Sequence, residues 1–146
     1  MKDFVMTLFA ISIAHILFAQ NNRIEAENFS ELSKCQPKEV KMNGKVTGVI
    51  SQFSRGAWVR YEDVDCKKGV SEIVFRGGSG STANPTIEIR LGSPNGKLIA
   101  TQSIGNEGWT KARSYGIQTK KLIGKQNLVF VSVNGEVMFD WFELIL

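Results

Sequence analysis

The sequence predicts an all-β fold, a sandwich or a barrel, on three observations. Short runs alternate between apolar and polar residues, turn residues separate them at close intervals, and no window sustains an apolar period near 3.6. Many short strands punctuated in this way pack as two sheets or roll into one.

Taken in order, the chain of 146 residues opens on a segment that is not part of that fold. Lys2 is followed by an apolar run from Phe4 to Phe18, broken only by Thr7, Ser12 and His15, and then by the small Ala19. This has the form of a secretory leader over residues 1–19, cut after Ala19 or after Gln20, and it is too short and poorly flanked for a membrane span. The expected product is an extracellular protein with one domain over residues 20–146, and no later apolar run predicts a span. His15 is the only histidine. Its loss with the leader excludes Ser-His-Asp and Cys-His nucleophiles and any histidine metal site from the mature chain. In an oxidising compartment Cys35 and Cys66 are expected to form a disulfide, worth roughly 3–4 kcal/mol in the chain-entropy picture.

The first strand is expected within RIEAENF, Arg23 to Phe29, with Glu25 and Glu27 on one face and Ile24 and Ala26 on the other. GAWVRYEDV and SEIVFRG supply further strands, and GGSGST, Gly77 to Thr82, is expected to be a flexible loop. TIEIRL, Thr86 to Leu91, alternates strictly and leads through SPNG into KLIAT, a hairpin whose turn suits the Asn-Gly pair. A second hairpin joins LVFVSV to VMFDWF through Asn134 and Gly135. If the first and last strands lie side by side, Glu25 and Glu27 meet Asp140. Three carboxylates without histidine or cysteine suit a hard cation such as Ca2+, with backbone carbonyls and water completing its shell. Residues two apart on a strand also match the carboxylate spacing of an inverting glycosidase, although nothing in so short a chain suggests a deep cleft.

Charge is mildly basic, with 18 Lys and Arg against 14 Asp and Glu, and removal of Lys2 with Asp3 leaves the balance at +4. Most of these charges are interleaved. Gly108 to Gly135 is different, because it holds Lys111, Arg113, Lys120, Lys121 and Lys125 and no acid. That stretch favours an anionic partner such as an acidic glycan or a membrane surface. No aromatic-rich nucleic-acid motif accompanies it, so nucleic acid is not expected as a partner.

RIEAENF, GAWVRYEDVD, TIEIRLGSPNGKLIAT, GNEGWT and FDWFEL follow one another in an order and spacing that resembles the family 6 carbohydrate-binding modules over Arg23 to Leu146. The resemblance implies a β-sandwich jelly roll with a structural calcium on Glu25, Glu27 and Asp140. It also implies non-catalytic binding of polysaccharide or oligosaccharide in a cleft formed by loops at one edge, where an aromatic ring covers the C–H face of a pyranose. Trp109 matches the family's tryptophan. Val49 stands where the family commonly has a tyrosine, and Met138 where it has an asparagine. Phe53 and Arg55, on a loop expected before Trp58, are the candidate replacements. A second cleft, on a sheet face, is implied for Trp58, with Glu88 and Arg90, and with Arg76, as polar partners. Trp141, Phe139 and Phe142 are expected in the core. The expected function is lectin-like binding of a β-glucan or xylan, by the protein alone, beside a separate glycoside hydrolase, or in an extracellular matrix. The alternative is a structural or protein-binding jelly roll that has lost its sugar site.

Overall fold

The computed structural model describes residues 22–146. The leader expected over residues 1–19 lies outside them. Among the described residues the strands are β1 (Arg23–Glu25), β2 (Glu31–Ser33), β3 (Gln36–Met42), β4 (Lys45–Ser54), β5 (Trp58–Asp65), β6 (Val70–Ser79), β7 (Thr86–Leu91), β8 (Leu98–Ser103), β9 (Gly108–Leu122), β10 (Lys125–Asn134) and β11 (Glu136–Ile145). One sheet runs β3-β4-β11-β6-β9 with β1 added beside β11, and the other runs β2-β5-β10-β7-β8. No described residue is helical, so each sheet has only the other to cover its apolar face, and the result is a β-sandwich jelly roll. No helix among the described residues is long and apolar enough to cross a membrane.

The first and last strands do pair: Arg23 lies opposite Glu143, Ile24 opposite Phe142 and Glu25 opposite Trp141. β4 pairs with the earlier part of β11, so β1 continues the sheet where β4 leaves it. Strict alternation makes β7 legible, with Ile87 and Ile89 buried between partly exposed Thr86, Glu88 and Arg90. In β11 a register shift between Phe139 and Trp141 breaks the alternation, so that Phe139 and Phe142, three residues apart, are both buried.

Six rings fill the middle of the sandwich. Phe139 stacks on Phe75 at 4.6 Å between centroids and also meets Phe53, Tyr61, Phe130 and Phe142. Tyr61 packs edge-on against Phe142 and donates its hydroxyl to the carbonyl of Ala26 at 2.7 Å, which satisfies the one polar atom among these rings.

Several expectations are corrected. Phe53 is not on a loop: β4 extends through it, it pairs with Val137, and it is fully buried. The expected loop contracts to a tight turn in which the Ala57 amide donates to Ser54 and Gly56 takes φ +88°. Gly77, Gly78 and Ser79 are buried β6 residues, not a flexible loop. Trp141 is half-buried on the outer side of its sheet, with the Arg23 guanidinium 4.3 Å from its ring centroid and Arg76 at 5.9 Å. At the β7–β8 turn the left-handed residue is Gly92, whereas Gly96 is needed because a Cβ there would sit 1.8 Å from the Leu91 oxygen.

Cys35 and Cys66 are both free thiols. The Cys35 sulfur lies against the carbonyls of Ser33 and Trp58, at the start of β5, while Cys66 follows the end of that strand. Opposite this stretch on β10, Val131 faces Trp58 and Lys125 faces Asp65, six residues or about 20 Å at ~3.3 Å per residue, far beyond what a disulfide spans. Burial pushes the Cys35 thiol up to about 11 and raises Cys66 as well.

Candidate functional site

Trp109 stands near the start of β9, not on a loop, and it is 39 % exposed. Its pyrrole ring packs on Gly80, where a Cβ would lie 2.5 Å from Nε1 and 2.7 Å from two neighbouring ring atoms. The segment that backs the indole is held by a chain of short-range bonds. Ser79 donates its hydroxyl to the Glu136 carbonyl at 2.5 Å and accepts from the Ser81 amide at 3.0 Å. Ser81 in turn accepts from the Ala83 amide, and the Asn134 side-chain amide donates to the carbonyls of Ala83 and Asn84. On the other side, the tip of the β3–β4 hairpin grips β9: the Asn43 amide donates to Thr110 O and its side-chain oxygen accepts from the Ala112 amide, both at 2.9 Å. A half-exposed indole on a braced support is a rigid platform of the kind that covers a pyranose C–H face with little entropy to lose.

Val49 and Met138 do not line an open cleft. Val49 is fully buried with Met42 and Ala112 in a small second apolar cluster, and Met138 packs against it. Arg55 remains exposed in the β4–β5 turn, at the same end of the sandwich as Trp109. Phe53, in the core, cannot reach a ligand there.

The second group comes together on the outer face of the other sheet. Cross-strand register aligns Ser33, Trp58, Val131, Glu88 and Thr101 in one row, and Arg60, Val129, Arg90 and Leu98 in the next. Trp58 is half-buried and sits two strands from Glu88, about 10 Å at ~4.8 Å per strand. Glu88 and Arg90 pair at 2.8 Å, and Arg90 also donates to the Gly96 carbonyl at 2.8 Å. Arg76 is not with them: it lies on β6, in the opposite sheet, beside Trp141 and 3.7 Å from Asp140.

The acidic residues of the first and last strands are also neighbours. Desolvation raises the Glu25 carboxyl above its ordinary value, Arg23 opposes this, and the charges of Glu27 and Asp140 add to the rise. Desolvation likewise raises Asp140, which accepts from the Thr47 hydroxyl at 3.2 Å and is 6 % exposed. Glu27 lies in a cradle left by Gly48, where a Cβ would come 2.6 Å from Oε1. Glu25 is engaged by Arg23 at 3.0 Å. Among the described residues no three Asp, Glu, Cys or His side chains converge as a metal cluster.

Gly80, on which the indole packs, and Asn134, which anchors the segment behind it, were read in the sequence only as parts of a loop and a hairpin turn. The only signal for them is the GSG run opposite a strand end, and it acquires meaning once β6 and β9 are known to pair.

Residues 25–145 match the pattern of the family described as carbohydrate binding module (family 6). The chain belongs to this family. The module is also similar to two forms of endo-1,4-beta-xylanase A of Thermoclostridium stercorarium, 29 % identical over 94 residues, which is 64 % of this chain but only 18 % and 14 % of those enzymes. Its fold superimposes on a β-1,3-glucan-binding module of Bacillus halodurans with a TM-score of 0.76, at 27 % identity, covering 85 % of this chain and 95 % of that one. A module of Clostridium cellulolyticum solved with xylose gives 0.72 at 26 % identity, covering 85 % and 96 %. A module of Clostridium stercorarium solved with cellobiose gives 0.74 at 25 % identity, covering 84 % and 91 %.

Proposed function

We propose that the chain is a secreted, non-catalytic protein that binds a neutral β-linked polysaccharide, a glucan or a xylan, on Trp109. One observation carries this reading: a half-exposed indole is held by a purpose-built glycine contact at the loop end of a family 6 jelly roll. The ligands found with two related modules, cellobiose and xylose, and the β-1,3-glucan binding of a third support this ligand class. Arg55 is the nearby hydrogen-bond donor in this scheme, and Trp58 with Glu88 and Arg90 forms an ancillary surface for the same chain.

Affinity electrophoresis through soluble xylan, mixed-linkage glucan and β-1,3-glucan tests this directly. Retardation by at least one of them is expected, with a loss of about 2 kcal/mol or more, roughly 30-fold in affinity, for Trp109→Ala and a smaller loss for Trp58→Ala. The reverse ranking would move the primary site to the sheet face. Absence of retardation by every glycan, for a protein folded by circular dichroism, would favour the second reading, a structural or protein-binding jelly roll. That reading has its own support in Val49 and Met138, which sit in an apolar cluster where the resemblance leads one to expect an aromatic ring and an amide.

We also propose a structural Ca2+ at the acidic corner. Its residues fit on two counts: the Gly48 cradle admits the Glu27 carboxylate, and the all-oxygen donor set is the one that hard cations take. Glu25, Glu27 and Asp140 would hold the ion, which would offset the desolvation that raises Glu25 and Asp140 and the repulsion from Glu27 and Asp140 that adds to the rise of Glu25. Thermal unfolding at pH 7 is expected to shift upward by several degrees in about 1 mM calcium relative to chelator, since free ligand at 100 times its Kd adds about 2.7 kcal/mol. Glu27→Gln and Asp140→Asn should each remove the shift, and a wild-type protein indifferent to calcium refutes the site.

A further inference from the structure

The end of the sandwich away from Trp109 is where Lys120, Lys121 and Lys125, the later lysines of the acid-free stretch, come to rest. Three connections meet there: 66–69 between β5 and β6, 92–97 between β7 and β8, and 123–124 between β9 and β10. Backbone bonds of 2.8 Å tie 66–69 to 123–124, from Cys66 N to Gly124 O and from Gly124 N to Lys67 O, and tie the 92–97 turn to β10, from Gly92 N to Asn127 O. Between β8 and β9, the edge strands of the two sheets, lies a groove of about 440 Å³. Leu98, Ile99 and Ile123 give it apolar walls, and Lys97, Lys120 and Lys121 give it cations. Leu98 is 45 % and Ile123 58 % exposed, unusual for such side chains. Lys121 also borders a shallower hollow shared with Lys67 and Lys68, its stem resting where a Cβ of Gly69 would be.

These charges are largely uncompensated. Lys67 is paired with Asp65 at 3.0 Å, whereas among the described residues Lys68, Lys97, Lys120, Lys121 and Lys125 have no acid within 4 Å. Asp63, whose backbone amide donates to the Asn127 side chain, lies by the same turns, and Leu146 lines the hollow beside Lys67, Lys68 and Lys121. The groove itself has three lysines and no acid in its lining, and a cation-lined concavity concentrates anions. The shape favours a chain over a bilayer, because a membrane surface is met by protruding apolar side chains, whereas here Leu98, Ile99 and Ile123 form the walls of a groove.

We propose that this groove binds a polyanionic polysaccharide, one bearing uronate carboxylates or sulfate esters, with its sugar C–H faces on Leu98 and Ile123 and its anionic groups on Lys97, Lys120 and Lys121. The site goes beyond the Trp109 reading and does not depend on it. Across the ladder Ser79 lies opposite Gly108 and Val70 opposite Leu122, nine residues of β6 or about 30 Å at ~3.3 Å per residue, so Trp109 and Lys121 stand near opposite ends of β9 and a neutral chain and an acidic chain can be held at once and cross-bridged.

Affinity electrophoresis through polygalacturonate, alginate and dextran sulfate at about 20 mM salt, where exposed charges are weakly screened, tests the proposal. Retardation is expected from at least one of them, abolished near 0.5 M salt, unchanged in Trp109→Ala, and weakened at least tenfold when Lys97, Lys120 and Lys121 are all replaced by Gln. A charge-matched control replaces Lys38, Lys41 and Lys45 on the β3–β4 hairpin by Gln and is expected to bind normally. No retardation by any of the three polyanions overturns the proposal, as does equal weakening in the control, which would indicate net charge alone. Binding to phosphatidylserine vesicles without binding to acidic glycans overturns it in favour of a membrane surface. Xylan and β-glucan run in parallel keep the two readings apart: the lysine variant should bind neutral glycans as the wild type does, whatever the fate of the groove.

Discussion

Phe139→Ala is expected to cost about 3–5 kcal/mol, enough to leave a domain of this size marginal or unfolded at 25 °C. Phe139 is fully buried and touches all five of the other core rings, from the stacked contact with Phe75 at 4.6 Å to the looser one with Phe142 at 6.3 Å. Removing it opens a cavity that no neighbour fills easily, because Phe53, Tyr61, Phe75, Phe130 and Phe142 come from five different strands held by their ladders. It also strips the packing from Tyr61, whose hydroxyl has to remain aimed at Ala26 O. Phe139→Leu, which keeps most of the volume, should cost much less. Urea unfolding followed by tryptophan fluorescence measures both; a loss below about 1.5 kcal/mol for the alanine variant would mean that the ring cluster relaxes and is not the keystone of the sandwich.

The same residues explain what could be taken from the sequence and what could not. TIEIRL announces β7 because its alternation is strict: of its three inward positions Ile87 and Ile89 are buried and Leu91 packs partly buried against the core. The pairing of the first strand with the last was legible for a related reason: each end of the domain carries a short apolar pattern that needs a partner, and β11 accepts β1. Phe53 was misplaced because SQFSRGAW has the polar and glycine content of a loop, whereas the structure extends β4 through it, with Gln52 in a left-handed conformation, and turns only at Gly56. The disulfide failed on a point that residue type cannot convey, since which end of β5 each cysteine occupies is a matter of register. Trp141 was expected inside because DWF reads as an apolar strand end, and the register shift after Phe139 reverses that face. The candidate site followed the same division. Trp109 and Trp58 stand out as candidates by family pattern and Glu88 and Arg90 by strand alternation, while the covering of Val49 and Met138 by the β3–β4 hairpin depends on how distant strands pack.

Gly80→Val is expected to weaken glycan binding nearly as much as removal of the indole itself, with little loss of stability. A Cβ at residue 80 would lie 2.5 Å from the Trp109 Nε1 and 2.7 Å from its ring neighbours, closer than any real Cβ contact, so the indole must swing off its support. Backbone strain does not confuse the test, because Gly80 is not among the residues with positive φ, and the three atoms nearest a Cβ there all belong to the indole. The brace is otherwise untouched: Ser79, Ser81 and Asn134 keep their bonds. A tilted indole still buries some area against a sugar but loses the face-to-face geometry worth about 0.5–1.5 kcal/mol beyond area, and its displaced position costs further ordering on binding. At least a tenfold fall in affinity, with the unfolding midpoint within a few degrees of wild type, is therefore the expected pair of results, read by isothermal titration and thermal scan on the same preparation. If Gly80→Val binds as the wild type while Trp109→Ala does not, the indole contributes area and not orientation, and the glycine contact is packing without functional consequence. Wild-type binding in both variants removes Trp109 from the site and leaves the sheet face around Trp58, Glu88 and Arg90 as the surface that meets the polysaccharide.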